Sequence, residues 1–287
     1  MKLYYYAHTG HKIGLDRVKK AVVILKKLEE QGIETVLLVN DFRAGLVAQE
    51  YGVHGAVTIE GIQDIDAIAE TGDSVIIDSP EDDHGRLVKY VSDFKKVFRF
   101  ATDDEDRSIH GEIMLELECR DENCLSSVII NDIYFDEQKK EERTLFFLGD
   151  SDADKTILSN SDFFKELDME LLLGNYFYVK YEDDLAKLFK VLHEPEEYVD
   201  LICSSSRVVT ASLQTALEAK VAEAEVIYIE LSKLNEKEKK LLSSNGIIII
   251  SNFDTNIYKQ NIIPIVSTSC NNIEKSNKVV EKIVKEL

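Results

Sequence analysis

Short apolar runs alternate with amphipathic helical segments along this chain, and this alternation restricts the fold more than any other feature. Leu3–Ala7, Thr35–Val39 and Ser74–Asp78 have the length and composition of buried strands. Between the first two, apolar residues recur at three- and four-residue spacing over residues 15–31, which is typical of a helix with one buried face. Strands separated by such helices build βαβ units, so the sequence predicts an α/β protein with parallel sheets.

The pattern repeats after residues 136–143, which are all charged except Gln138. Such a run is typical of a solvated linker, so we expect two Rossmann-like domains, over residues 1–138 and 139–287, whose parallel sheets face an interdomain cleft. In the first domain, the segment 103–123 is expected to be irregular and the last strand to span 127–130. In the second, we expect strands at 144–148, 170–173, 208–211, 226–229 and 247–250, and helices at 155–167, 212–222 and 272–287.

Net charge and cysteine content limit the classes of ligand and site that we expect for this chain. A net charge of −20 opposes binding to nucleic acid or to an anionic membrane surface, because both need clustered Lys and Arg. The four cysteines form no CxxC pair, which leaves a zinc site without support and favours reduced thiols. The N-terminal segment lacks the apolar run of a signal peptide, and no stretch approaches the roughly 20 apolar residues of a membrane helix. We therefore expect a cytoplasmic protein without a cofactor or a metal.

The loop after the first strand carries the first candidate residues. It contains His8 and His11, which are suited to general acid–base catalysis. It also contains Gly14, which would let the backbone approach a ligand at the start of the next helix. The alternative is an ordinary strand-to-helix turn, which explains the same loop equally well.

Carboxylates supply the next candidates. Asp78 lies at the carboxyl end of its strand, where open α/β sheets bind ligands, although a turn or a helix cap is the alternative. Residues 103–110 combine four acidic side chains with Arg107 and His110. Because nothing fixes a ligand geometry there, a solvated, salt-bridged loop is favoured over a metal site.

The second half offers two candidate contacts for a nucleotide. Gly149 and Ser151 lie in a turn between a strand and a helix, where backbone N–H groups can hold phosphate. Thr215 and Glu218 are three residues apart and share a helix face, so the carboxylate is placed to bind ribose hydroxyls. A surface Glu in a helix of good propensity is the alternative.

The order of these segments resembles the UDP-sugar hydrolases of pseudaminic acid biosynthesis and the related spore-coat polysaccharide proteins, over nearly the whole chain. The matching positions are an I-G-x-G-H-x-x-R segment at residues 13–20, a mid-domain Asp at Asp78, a D-D-x-x-x-R-x-H-like segment at Asp103, Asp104, Arg107 or Ser108 and His110, a G-G-x-D loop at residues 149–152, and an A-G-G-x-T-x-x-E segment at residues 211–218.

The resemblance implies the GT-B fold of many glycosyltransferases, a UDP-sugar ligand and a role in surface-glycan (nonulosonate) biosynthesis. The resemblance implies catalytic roles for Asp78, which matches the family's mid-domain Asp, and for His11, which is the best remaining base on the family's loop. It implies phosphate or cleft contacts for Gly14 and Arg17. Nucleotide contacts fall to Gly149, Ser151, Thr215 and Glu218.

Several motif positions depart from the family. Asp16 and Arg17 stand where the family has its Gly-His pair, whose His is catalytic. Asp150 replaces a glycine of the first nucleotide loop, and Ser212 and Leu213 replace two glycines of the second. Side chains at these positions would obstruct a diphosphate, and Asp150 would also repel it.

Two functions remain as alternatives. The first is a UDP-sugar-binding enzyme, a hydrolase or a glycosyltransferase-like protein, with His11 as the base and Lys12 or Arg17 neutralising phosphate. The second is a catalytically inactive relative, a pseudoenzyme that acts as a binding or regulatory partner of another protein in surface-glycan assembly. The first predicts that His11→Ala abolishes turnover, whereas the second predicts no turnover to lose.

Overall fold

The first sheet has seven parallel strands. A computed structural model describes residues 1–119, 124–261 and 273–287. The strands are β1 Leu3–Ala7, β2 Thr35–Val39, β3 Val57–Thr58, β4 Ser74–Asp78, β5 Lys96–Phe100, β6 Ile113–Glu116 and β7 Leu125–Ser126, and the helices between them are α1 Asp16–Glu29, α2 Phe42–Glu50, α3 Ile65–Ile68 and α4 Arg86–Asp93. The strand order is β3-β2-β1-β4-β5-β6-β7.

The second sheet has six parallel strands in the order β10-β9-β8-β11-β12-β13. These are β8 Glu141–Phe147, β9 Glu170–Leu172, β10 Leu192–His193, β11 Ser205–Thr210, β12 Glu225–Glu230 and β13 Ile248–Ser251. The helices of this half are α5 Thr156–Ser159, α6 Ser161–Lys165, α7 Val179–Leu185, α8 Tyr198–Ser204, α9 Leu213–Val221, α10 Glu236–Ser244 and α11 Thr255–Asn261, and α12 Asn277–Glu286 follows. The predicted α/β architecture with two parallel sheets is confirmed.

The chain forms two compact units. The first unit comprises residues 1–10, 15–129 and 275–287, and the second comprises residues 11–14 and 130–274. Helix α12 therefore returns to the first unit, where it packs against α1 and β7. The domain boundary between residues 138 and 139 stays a prediction.

Each unit has its own apolar core. In the first unit β1 is buried along its whole length, and Tyr6, Ile77 and Tyr90 are among the residues packed beneath the helices. In the second unit aromatic rings dominate, with Phe146 and Phe164 at 4.8 Å between centroids. Burial of this apolar surface is the main driving force for each sheet to fold with its helices.

Three predicted elements of the first half are wrong. Ile113–Glu116 forms β6 inside the segment expected to be irregular, because its apolar side chains are buried despite the charged flanks. Strand β7 ends at Ser126, so residues 127–130 are not a strand. The charged run 136–143 is not wholly a linker, since β8 begins at Glu141 and Arg143 pairs with Glu170 at 2.9 Å.

The second half also differs in detail. The helix expected over 155–167 is split into α5 and α6, and the sequence patterns did not indicate α7, α8, α10, α11 or β10. The closing helix begins at Asn277. Residues 120–123 of the irregular segment and Asn272 of the predicted closing helix lie outside the described residues.

The expectation of reduced thiols is wrong for one pair. Cys119 and Cys124 form a disulfide, with Cα atoms 5.2 Å apart, which is within the range that the bond allows. Cys203 is a buried free thiol, and burial raises its pKa to about 11. Cys270 lies outside the described residues.

None of the described helices is a candidate for a membrane-spanning segment. Over residues 1–119, 124–261 and 273–287, every helix is too short or too polar to cross a bilayer.

Candidate functional site

Strand order reverses once in each sheet, and the candidate residues lie at these reversals. In the first sheet the chain proceeds outwards from β1 on one side and from β4 on the other, and in the second the same reversal falls between β8 and β11. The loops that leave the carboxyl ends of these strands diverge, which opens a crevice where α/β proteins bind ligands. The loop 8–14 and Asp78 lie at the first reversal, and the loops 148–155 and 211–212 lie at the second.

Asp78 is the centre of a buried ion-pair cluster. It ends β4 directly beside Ala7 of β1 and is only 4% exposed. Its Oδ1 lies 3.2 Å from Arg17 Nε, and its Oδ2 lies 2.7 Å from Lys20 Nζ. Both cations come from α1, about one turn apart, so the N-terminal part of the helix supplies the positive charge that the carboxylate needs.

Aromatic side chains complete this cluster. The hydroxyl of Tyr5 donates to Asp78 Oδ2 at 3.2 Å. Burial raises the pKa of Tyr5 well above its usual range, and the charge of Asp78 raises it further, so the phenol stays protonated and can donate. The ring of Phe100 lies 4.2 Å from Lys20 Nζ, a cation–π contact. The structure thus brings the predicted residues Asp78 and Arg17 together.

A second polar network surrounds Glu81, which follows β4 by three residues. Its Oε2 accepts hydrogen bonds from Tyr6 at 2.6 Å and from Ser79 at 2.8 Å. The same oxygen lies 3.0 Å from His8 Nδ1. The backbone N–H of His8 donates to the carbonyl oxygen of Asp78 at 3.0 Å, so the two networks are joined through the backbone.

The loop after β1 is divided between the two units. Thr9 exchanges two hydrogen bonds with the side chain of Asn40, which fixes the start of the loop. His11 and Gly14 belong to the second unit, where Ser151 Oγ donates to the carbonyl oxygen of His11. His11 is exposed, and it lies in a different unit from Asp78, the other predicted catalytic residue.

The loop after β8 is tightly packed. A Cβ on Gly174 would lie 2.5 Å from the carbonyl carbon and oxygen of Asp150, so only glycine fits where the next loop crosses it. Gly14 has a φ of +85°, and a Cβ there would lie 3.7 Å from Asp150 Cβ. Gly14, Gly149 and Ser151, predicted to contact a ligand, are therefore brought together around Asp150, which is 4% exposed.

The start of α9 satisfies its own polar groups. Ser212 is the N-cap, and its Oγ accepts from the backbone N–H of Thr215 at 3.0 Å. The hydroxyl of Tyr198 lies 2.7 Å from Thr215 Oγ1 and donates to Glu218 Oε2 at 2.6 Å, while Gln214 donates to Oε1 at 2.8 Å. Glu218 is only 2% exposed, so the alternative of a surface Glu is wrong.

The acidic segment after β5 is a salt-bridged loop. Arg99 makes a two-point contact with Asp106, at 2.6 and 2.8 Å, and reaches Glu112 at 3.1 Å. Glu112 also accepts from the backbone N–H groups of Ile109 and His110. Over the described residues, no group of three or more His, Cys, Asp or Glu side chains is arranged to hold a metal ion.

Glu81 and Tyr198 are the functional candidates that the sequence did not reveal. Glu81 follows Asp78 in a polar stretch that indicated only a turn, and its partner Tyr6 is 75 residues away. Tyr198 lies in a helix that the patterns missed and reaches Glu218 across 20 residues. The three consecutive Tyr residues of the buried strand β1, Tyr6 among them, were the available signal that polar partners are nearby, because a buried Tyr hydroxyl usually has a hydrogen-bond partner.

Comparison with known proteins gives matches at the level of structure. No protein-family model matches the chain, and a search of curated proteins gave no match. The UDP-GlcNAc 2-epimerase from Methanocaldococcus jannaschii, in complex with UDP-GlcNAc and UDP, aligns over 99% of both chains with a TM-score of 0.64 and 14% identity. S. aureus MnaA with UDP aligns over 99% of this chain and 95% of its own, with a TM-score of 0.64 and 13% identity.

A glycosyltransferase has the same architecture. AviGT4, which is involved in avilamycin A biosynthesis, aligns over 99% of this chain and 92% of its own, with a TM-score of 0.51 and 14% identity. Similarity at these identities shows the fold alone. The predicted GT-B-like α/β fold is confirmed.

Proposed function

We propose that this chain is a divergent sugar-nucleotide-binding protein whose ligand is a UDP-sugar. One observation carries the proposal: the predicted ligand-contacting residues gather where strand order reverses in each sheet. Solved proteins with this fold include ones determined with UDP-GlcNAc and UDP.

The second unit is the proposed nucleotide site. The loop containing Gly149 and Ser151 and the N-terminus of α9 leave neighbouring strands, so their backbone N–H groups would face one diphosphate. Glu218, one and a half turns into α9, would accept the ribose hydroxyls. Tyr198 and Gln214 donate hydrogen bonds to this carboxylate, and a ribose hydroxyl would replace the Tyr198 donor.

The more specific form of the proposal is an enzyme of surface-glycan assembly, a hydrolase or glycosyltransferase-like protein of the pseudaminic acid type. The first unit supports it, because Asp78, Arg17 and Lys20 hold a fixed charge arrangement at the reversal point. Preorganised charges of this kind are a general means by which enzymes stabilise charge that develops in a transition state.

The alternative is a catalytically inactive relative that binds or regulates a partner protein. The self-satisfied start of α9 favours it, because Ser212 already caps the Thr215 N–H that a phosphate would need. Asp150 favours it too, since a buried carboxylate beside Gly149 repels a diphosphate.

Thermal unfolding with UDP, UDP-GlcNAc and ADP tests the proposal. We expect the two uridine compounds to raise the Tm and ADP to have little effect. A ligand at 100 times its Kd stabilises by about 2.7 kcal/mol. Glu218→Gln should reduce the shift at fixed ligand concentration, whereas Glu196→Gln, an exposed Glu, should leave it unchanged.

The outcomes separate the alternatives. No shift with any of the compounds at millimolar concentration contradicts the sugar-nucleotide proposal. A uridine-specific shift followed by release of UDP from the UDP-sugar supports the enzyme, and a shift without release supports the inactive relative.

A further inference from the structure

The connection between β6 and β7 is short for two parallel strands. Leu115 pairs with Leu125 and Glu116 with Ser126, so the strands run in the same direction. Residues 117–124 are all that lies between them in the chain. Parallel neighbours usually need a crossover of about a dozen residues or more. This pair therefore relies on other contacts to keep its register.

Strand β7 also has a small share in the sheet. It contains two residues and stands at the end of the strand order, next to β6. Helix α12 packs against it, and Lys282 Nζ of that helix donates to the carbonyl oxygen of Cys124 at 3.4 Å. The packing of α12 on the first unit therefore depends on where β7 is held.

The Cys119–Cys124 disulfide joins the two ends of this connection. Cys119 follows β6 by three residues, and Cys124 immediately precedes β7. The two residues are only five apart in sequence, and the unfolded-state entropy that a disulfide removes grows with the length of the closed loop. Because this loop is short, we expect the bond to act locally on β7 more than on global stability.

The cysteines differ in their access to a reductant. Cys119 is exposed, whereas Cys124 is only 4% exposed. Thiol–disulfide exchange requires a thiolate to reach one sulfur of the bond, and the exposed Cys119 provides that access. Cys203 is buried in the second unit, and burial raises its pKa to about 11, so its thiol stays protonated and unreactive.

We propose that the Cys119–Cys124 disulfide is a redox-responsive crosslink that fixes β7 and the packing of α12 when oxidised and releases both when a dithiol reduces it. A thiolate of the dithiol bonds to Cys119 Sγ, and the bond between the two cysteines breaks. Its electron pair goes to Cys124 Sγ, which takes up a proton. The second thiol of the reductant then displaces Cys119 in the same way. Two protein thiols and the disulfide of the reductant are the products.

This proposal does not depend on the sugar-nucleotide ligand, and hydrogen exchange of the whole chain tests it. The protein is compared in its oxidised form and after treatment with dithiothreitol. We expect the backbone amides of β7 and α12 to exchange about 10-fold faster after reduction, with β8 and β11 unchanged. Alkylation with iodoacetamide, read by mass spectrometry, reports the redox state. Cys119 should be labelled only after reduction, and Cys203 in neither form.

Two serine variants provide the matched comparison. Cys119→Ser changes an exposed position, and the variant should exchange as fast as the reduced wild type in β7 and α12 without any reductant. Dithiothreitol should then have no further effect on it. Cys203→Ser leaves the disulfide intact and should respond to dithiothreitol as the wild type does. The reduced wild-type protein keeps the test decisive if Cys119→Ser does not fold.

The outcomes are clear-cut. Faster exchange confined to β7 and α12 supports the redox-responsive crosslink. Three results overturn it: iodoacetamide labels Cys119 before reduction, dithiothreitol fails to reduce the bond in the folded protein, or the two redox forms exchange equally at β7 and α12. Equal acceleration in β8 and β11 also overturns it, because the disulfide would then stabilise the whole protein and not one edge of the first sheet.

Discussion

Glu112 shows how a single buried carboxylate can make stability depend on pH. Its side chain is fully buried and faces Arg99. Burial alone would raise its pKa, but the N–H groups of His110 and Ile109, together with Arg99, outweigh burial and lower the pKa below the usual 4.5. A lowered acid pKa adds stability that is complete above pH 4.5 and is lost as the pH falls through the lower, folded-state pKa.

We expect Glu112→Gln to reduce the free energy of unfolding at pH 7 by about 2 kcal/mol, because charge-assisted hydrogen bonds are replaced by weaker ones. Below pH 4.5 the variant should lose less stability than the wild type. Urea unfolding between pH 3 and pH 7 measures both effects. The control is Glu105→Gln, an exposed position in the same loop, and equal acid sensitivity in wild type and Glu112→Gln would contradict the assignment.

For single residues, the sequence predicted where candidate site residues lie but not which side chains they contact. Asp78 was placed correctly at the end of a strand, because an apolar run that ends in Asp fixes both the strand and the edge. Its pairing with Arg17 and Lys20, about 60 residues away, depends on how α1 packs across the sheet, which no local pattern records. The contacts of Glu81 and Tyr198 stayed unpredicted for the same reason.

The crossing of two loops shapes the second reversal point at the scale of elements. The loop after β9 passes so close to the loop after β8 that Gly174 touches the backbone of Gly149 and Asp150.

Elements with long apolar runs, such as β2 and β4, were predicted with their observed bounds. The two-residue strand β10 and the seven-residue helix α7 were missed, because they contain too few residues for a hydrophobic period to be visible.

Gly174→Ala tests this crossing. The added Cβ would overlap the Asp150 carbonyl, and we expect a loss of about 3 kcal/mol in the free energy of unfolding. Gly45→Ala is the matched control. Its Cβ would meet the Ala56 Cβ at 3.1 Å and the Val39 Cγ2 at 3.8 Å, both of them side-chain atoms, and alanine favours its helix, so the loss should be below about 1 kcal/mol. Urea unfolding compares them, and equal losses would contradict a tight crossing at Gly174.

For the whole molecule, the sequence predicted two parallel sheets but not the path of the chain between the units. Alternation of strands and helices recurs on both sides of residues 136–143, which is enough to indicate two sheets. The return of α12 to the first unit was not predicted. The amphipathic pattern of a helix indicates that one of its faces is buried, but it does not indicate which element covers that face.

Ile283→Ala tests this assignment. Ile283 is fully buried in α12, so the substitution should cost about 3 kcal/mol. Hydrogen exchange should show faster exchange in β1 and β4 and unchanged exchange in β8 and β11, because α12 belongs to the first unit. Val88→Ala, at a 52% exposed position of α4, is the control. Faster exchange confined to the second unit would contradict the assignment.

The return of α12 also sets an order of assembly during synthesis. In the linear chain the second unit, apart from residues 11–14, is an insertion into the first. A growing chain would therefore expose all of residues 130–274 before the first unit received its final helix. Most of the first unit is synthesised first, yet this unit would be completed last. A ribosome-bound chain that stops before residue 275 would contain nearly all of the second unit, but the surface of α1 and β7 that α12 covers would be exposed.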